Sequence, residues 1–174
     1  MCIRDRFRIA HTDDAILVHY KVKEASVRAV AAGDNGAVWE DACVEFFSIP
    51  AGDGIYYNVE CNCAGILLIG AGAGRENREH APQEVMDKVQ RWSSLGRQSF
   101  EERVGECNWE LALVIPYSAF FKHQITSLDG KTVRANFYKC GDKLQTPHFL
   151  SWNPIALEKP NFHCPEFFGT LNFE

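Results

Sequence analysis

VWEDACVEFFSIPAGDGIYYNVEC, residues 38–61, decides how the fold is read. Ala42, Val44 and Phe46 alternate with other residues at the two-residue period of a strand, and the strand is expected to run from Trp39 to Ile49. Pro50, Gly52, Asp53 and Gly54 then break the pattern, and Tyr57, Val59 and Cys61 resume it. Two period-two runs joined by such turn residues predict a hairpin. The other side of the first run carries Trp39, Asp41 and Glu45. A plain core strand does not need that arrangement, whereas a strand that also floors a polar binding site does.

The same grammar extends in both directions. Residues 7–10 (FRIA), a turn HTDD and residues 15–22 (AILVHYKV) read as a second hairpin, with Ile16, Val18, Tyr20 and Val22 on one face. Residues 31–38 (AAGDNGAV) form a loop rich in turn formers. Trp109, Leu111, Leu113 and Ile115 alternate through NWELALVIP, and YSAFFKH after Pro116 reads as a helical turn. RANFYKC is a further strand, and Phe168 to Phe173 the last. The charged stretch from Arg75 to Arg103 interrupts this order and reads as an insertion with a short helix from Pro82 through Gln90. The expected fold is all-β: an antiparallel, jelly-roll-like β-sandwich with one short helical insertion, forming a single domain over residues 7–174. Residues 1–6 (MCIRDR) read as a non-native or truncated start.

Bulk properties narrow the function. With 174 residues and 46% apolar content the chain can bury one substantial core. A net charge of −5 with scattered Lys and Arg lacks the basic patch that phosphate neutralisation needs, so nucleic acid is not expected as a partner. No apolar run approaches the roughly 18 residues of a membrane-spanning helix, and no membrane partner is expected. Seven cysteines cannot all pair within one chain. Cys43, Cys61, Cys107 and Cys140 fall in or beside expected strands, where a reduced thiol packs as a small apolar group. That count leans towards the cytoplasm and otherwise leaves the compartment unassigned.

Three strands place polar groups on one face. Asp41 and Glu45 lie on the first, Asn58, Glu60 and Asn62 on the second, and Arg134, Asn136 and Tyr138 on the third. Together these groups supply the donors and acceptors that hydroxyl-rich ligands require, although a solvated outer face would look the same. The four tryptophans separate the two readings. Trp109 is in phase with the core, and Trp92 lies in the insertion. Trp39 and Trp152 sit at strand ends beside polar residues, in VWED and SWNP. A pyranose has apolar faces and a polar rim, so flat aromatics with hydrogen-bonding neighbours suit it.

From Phe7 onward the chain resembles the family 9 carbohydrate-binding modules, within the wider set of DOMON-like β-sandwiches. The residues that carry the resemblance are VWEDACVEFF, YYNVECNCAGILL, WELALVIPYSAFF, RANFYKCGD and HFLSWNPI with FHCPEFFGTLNFE. It implies a non-catalytic module that holds a terminal sugar of a glucan or xylan chain between two aromatics, in polysaccharide catabolism. Trp39 matches the first aromatic, Glu45, six residues on, the acid that binds hydroxyls, and Trp152 the second aromatic. Asn62, Arg134 and Asn136 are further expected ligands. No cofactor is expected beyond a structural calcium at Asp41. Two departures from the family pattern are expected: the segment that usually precedes Phe7 reads as missing or replaced by MCIRDR, and the Arg75–Arg103 stretch reads as an insertion beyond a minimal module.

Three other readings use the same residues. Glu45 and Glu60 can be cast as a glycoside hydrolase pair, without any hydrolase signature around them. Cys61, Cys63, Cys140, Cys164, His148 and His163 can be assembled into a metal site, but without the paired close spacing of zinc ligands. A protein-interaction domain without a sugar ligand is the third.

Overall fold

The computed structural model describes residues 5–174. Two antiparallel sheets pack face to face. The smaller has the order β1-β2-β8-β7, from β1 (Arg6–His11), β2 (Ala15–Ala29), β7 (Gln90–Ser93) and β8 (Phe100–Pro116). The larger has the order β10-β9-β3-β4-β5-β6, from β3 (Cys43–Ile49), β4 (Tyr56–Asn62), β5 (Leu67–Gly72), β6 (Glu79–His80), β9 (Thr132–Cys140) and β10 (Phe149–Ser151), and β11 (Gly169–Asn172) also pairs with β9. The β-sandwich read from the sequence is the fold.

Period-two patterning builds the interior. Ile16, Val18, Tyr20 and Val22 of β2 and Trp109, Leu111, Leu113 and Ile115 of β8 face Val44, Phe46, Val59 and Phe137 of the larger sheet in one buried cluster. Each fully buried aliphatic or aromatic side chain there contributes roughly 1.5–3 kcal/mol. A buried indole N–H needs an acceptor, and Trp109 Nε1 donates to Glu24. The cost of burying Glu24 is offset from the opposite sheet by Lys139 Nζ at 2.9 Å. This ion pair bridges the two layers.

The outer face of the larger sheet is also covered. Phe47, Tyr56, Tyr138 and Phe168 form a second small core with Ile155 and Phe162 from the carboxyl-terminal segment, and Phe162 stacks on Tyr138 at 4.2 Å. Both faces of β3 and β4 are therefore buried. A merely solvated outer face is not what the chain builds.

Three expectations need correction. The strand expected from Trp39 begins at Cys43, because Val38–Glu40 form a 3-10 turn that closes the loop. The helix expected through Gln90 is one turn, α1 (Gln83–Met86), with Pro82 as its N-cap residue. The 75–103 stretch is part of the sandwich: β6 pairs with β5 in one sheet and β7 with β8 in the other. At the amino end, Arg6 already pairs with Lys21 in β1–β2, and residues 1–4 lie outside the described residues. Among the described residues no helix is long and apolar enough to cross a membrane.

Candidate carbohydrate-binding site

The half of the outer face that the second core leaves open is a cavity of about 300 Å³. Its floor is the cross-strand pair Glu45 and Glu60, which are direct partners in the β3–β4 register, with Cys140 of β9 beside them. Trp39, Phe149 and Phe162 supply aromatic walls, and Arg75, Arg78 and His163 a polar rim.

Trp39 is held by its backbone and leaves its ring free. Its carbonyl accepts Asp142 N at 3.1 Å, and the ring is 40% exposed. The turn that carries it is anchored by Asp41, whose carboxylate accepts Val30 N at 3.0 Å, Ala31 N at 2.9 Å and Asn62 Nδ2 at 2.9 Å. All of these partners are N–H donors. Calcium requires oxygen ligands, so Asp41 does not fit the calcium role expected of it. It shapes the loop instead.

Phe149 reaches the same rim from β10. Its register partner is Cys140, whose Sγ lies 3.5 Å from the Trp39 carbonyl oxygen, so Trp39 and Phe149 both lie beside one point of the floor. Phe149 is as exposed as Trp39, at 40%. Single exposed aromatics are unremarkable on a protein surface. Two on one polar cavity form a place for an apolar ring face.

Among the described residues, the floor carries acid without a cation in ion-pair contact. Glu60 Oε1 accepts Asn58 Nδ2 at 2.9 Å, and Asn58 Oδ1 accepts Arg78 Nε at 2.9 Å, a relay that holds the guanidinium one residue away from the carboxyl. Arg78 is itself fixed over the Tyr56 ring at 4.0 Å and donates to Tyr56 O and Gly70 O. Gly70 makes room for the relay, since a Cβ there would sit 2.6 Å from Asn58 Oδ1. Glu45 accepts the Cys140 thiol at 3.0 Å and forms no ion pair among the described residues. Burial pushes the Glu60 carboxyl up to about 7 and the Glu45 carboxyl well above its usual range, the neighbouring Cys140 and Glu60 adding to the latter. The pair thus retains a proton near neutrality and offers both a donor and acceptors. His163 is pushed down to about 4 by burial and by Arg78 and Arg75, and its Nδ1 lies 2.8 Å from the Tyr56 hydroxyl.

The structure brings together Trp39 and Glu45 of the six expected ligands and sends the other four elsewhere. Trp152 lines a separate, more apolar depression with Phe7, Tyr20 and Phe137, and packs edge-on against Phe7 and Phe137 at 6.0 and 5.8 Å. It is no partner of Trp39. Asn62 is spent on Asp41 and on the backbone N–H groups of Ala64 and Ile66 in the β4–β5 turn. Arg134 donates to the carbonyls of Glu166 and Phe168, and Asn136 binds both N and O of Asn153. These three side chains hold the segment that covers the outer face. The residues missed were Phe149, Phe162, Arg78 and His163. Glu60 is on the expected polar face and in a candidate catalytic pair, but not among the six expected ligands. Glu45 and Glu60 stand side by side on one floor, whereas glycoside hydrolysis needs carboxyls flanking the scissile bond.

The match to known proteins now has a site to refer to. The model of carbohydrate-binding family 9 matches residues 1–173, and the chain belongs to that family. Its members are non-catalytic binding modules, so the protein is not an enzyme. A Bacteroides uniformis ATCC 8492 protein assigned provisionally to carbohydrate binding is 70% identical, with a TM-score of 0.97 over 99% of this chain and 79% of its own. A family 9 module from Caldicellulosiruptor kristjanssonii in complex with glucose is 10% identical, with a TM-score of 0.61 over 100% of this chain and 78% of its own. The same kind of module in complex with cellotriose gives 11% identity and a TM-score of 0.63, covering 100% and 76%. At that identity the likeness shows the fold. No curated protein matches the chain.

Proposed function

We propose that the Glu45–Glu60 cavity holds a single terminal pyranose of a neutral oligosaccharide, a glucan or xylan chain end, with Trp39 against one ring face, Phe149 opposing it, and the two floor carboxyls on the hydroxyls. One observation carries this reading: two buried carboxyls with no ion-pair partner among the described residues line one cavity together with two exposed aromatics. A cavity of about 300 Å³ lies at the small end of ligand sites and suits one ring better than a threaded chain. The glucose and cellotriose held by the Caldicellulosiruptor module support a glucan first. The task served is attachment during polysaccharide catabolism.

Affinity is modest on this account. Two ring contacts at about 1 kcal/mol each and hydrogen bonds to charged groups at about 1.5–3 kcal/mol each work against the immobilisation of a flexible sugar. Dissociation constants from micromolar to millimolar are expected, on the order of −4 to −8 kcal/mol. Intrinsic tryptophan fluorescence titrated with glucose, cellobiose, cellotriose, xylobiose, galactose and maltose tests the reading. A saturable change with a gluco-configured ligand supports it. Silence across the panel from folded protein overturns it and turns attention to a protein partner.

A further inference from the structure

Under the aromatic rim, three side chains converge from two adjacent strands. Cys43 and Cys140 are directly opposed in the β3–β9 register, and Glu45 lies two residues along β3 from Cys43, on the same face. Both sulfur atoms and a Glu45 carboxylate oxygen lie within 4.8 Å of one another, and Cys140 Sγ is 3.0 Å from Glu45 Oε1. Both thiols are free and all three side chains are buried. Glu45, 2% exposed, has no cation in ion-pair contact among the described residues. Glu45 and Cys140 also line the open cavity, which gives the cluster an entry path from solvent.

The geometry points to a site for a thiophilic divalent metal ion of the zinc class, bound by Cys43 Sγ, Cys140 Sγ and a carboxylate oxygen of Glu45, with its fourth position open to the cavity. Two sulfur ligands select zinc-like ions over calcium or magnesium. Tetrahedral coordination with sulfur at about 2.3 Å and oxygen at about 2.0–2.2 Å sets the ligand atoms roughly 3.5–3.8 Å apart. The present spacing reaches that by small side-chain movements on a rigid sheet. Binding forms two metal–sulfur bonds and one metal–oxygen bond, and releases to solvent the two thiol protons and the proton held by the Glu45–Glu60 pair, without oxidation or reduction. A dication would take the place of the proton at Glu45, beside which no cationic side chain lies in ion-pair contact among the described residues. Ligands from β3 and β9 leave no short spacing motif, so the sequence has nothing to show.

The site does not depend on sugar binding, and its test contains no sugar. The reduced full chain is titrated with Co²⁺ and then with Zn²⁺. The expected result is one equivalent bound, a sulfur-to-cobalt charge-transfer band with the visible absorption of a tetrahedral ion, and displacement by Zn²⁺. The band disappears in Cys43→Ser and in Cys140→Ser, and the affinity falls at least about tenfold in Glu45→Gln. No band from the wild-type chain overturns the inference. So does a band that survives in the double serine variant, since it would place the metal on other thiols such as Cys107 or Cys164. X-ray absorption of the zinc-loaded wild-type chain decides the matter without any variant. Two sulfurs in the first shell support the site, and none, three or four refute it.

Discussion

Two clusters of buried acid lie in this sandwich, and they differ in how their charge is compensated. Glu24, between the sheets, has Lys139 Nζ at 2.9 Å and the indole N–H of Trp109 on its other oxygen. Glu45 and Glu60, on the outer face, have a thiol and an amide as their side-chain partners. Burial of a charge is costly unless it is paired and hydrogen-bonded. The first cluster is compensated within the chain and serves the architecture. The second is left incomplete beside a cavity, and on the function proposed above a ligand with hydroxyl groups completes it.

The widest separation between the clusters is expected from Glu24→Ala. It strands Lys139 in the interior and should lower stability by about 3–5 kcal/mol, read from urea unfolding, while the folded fraction keeps its sugar affinity. A loss below about 1 kcal/mol would mean that the ion pair is not what joins the layers.

Gly70→Ala probes the outer cluster through its support. A Cβ there would meet Asn58 Oδ1 at 2.6 Å and must displace the relay from Arg78 to Glu60. A stability loss of about 1–3 kcal/mol is expected together with weaker sugar binding, read by melting and by titration. Wild-type behaviour in both would show that the relay does not position Glu60.

The incomplete cluster should also declare itself in pH dependence. Burial raises the Glu60 carboxyl from 4.5 to about 7, so between these values the folded chain holds a proton that the unfolded chain has released. Stability from this group is therefore present below pH 4.5 and is lost as pH rises through 7, by a few kcal/mol at most. His163, lowered from 6.5 to about 4, acts the other way and costs stability as pH falls through that range. Glu60→Gln should reduce the loss between about pH 4.5 and pH 7 measured by chemical denaturation, Glu45 contributing the remainder. An unchanged profile would put the titrating proton elsewhere.

The smallest effect belongs to Trp92→Ala. Trp92 is 55% exposed on β7, away from the cavity, and its removal should change stability by less than about 0.5 kcal/mol and sugar affinity not at all. A loss of sugar binding would place a site on the other sheet.

The same contrast explains what could be read from the sequence. Inner faces follow period two, so Val44, Phe46, Trp109 and Leu111 fall where the alternation puts them. Polar outer positions follow the same period, but their partners come from segments without one. Asn136 and Arg134 are claimed by Asn153, Glu166 and Phe168 through contacts that no local pattern encodes. Phe149 opens a three-residue strand and Arg78 lies beside a two-residue one, both too short to show a period, and Phe162 lies in an irregular segment. Trp152 resembled Trp39 in its surroundings, and only the chain path puts it in the separate depression with Phe7, Tyr20 and Phe137.

Calorimetric titration of cellotriose into Trp39→Ala and Trp152→Ala, side by side with the wild-type chain, tests the central claim most directly. The account predicts that Trp39→Ala abolishes measurable binding with the fold intact, while Trp152→Ala binds like the wild type. Binding lost in Trp152→Ala and retained in Trp39→Ala would move the sugar to the other depression and contradict it.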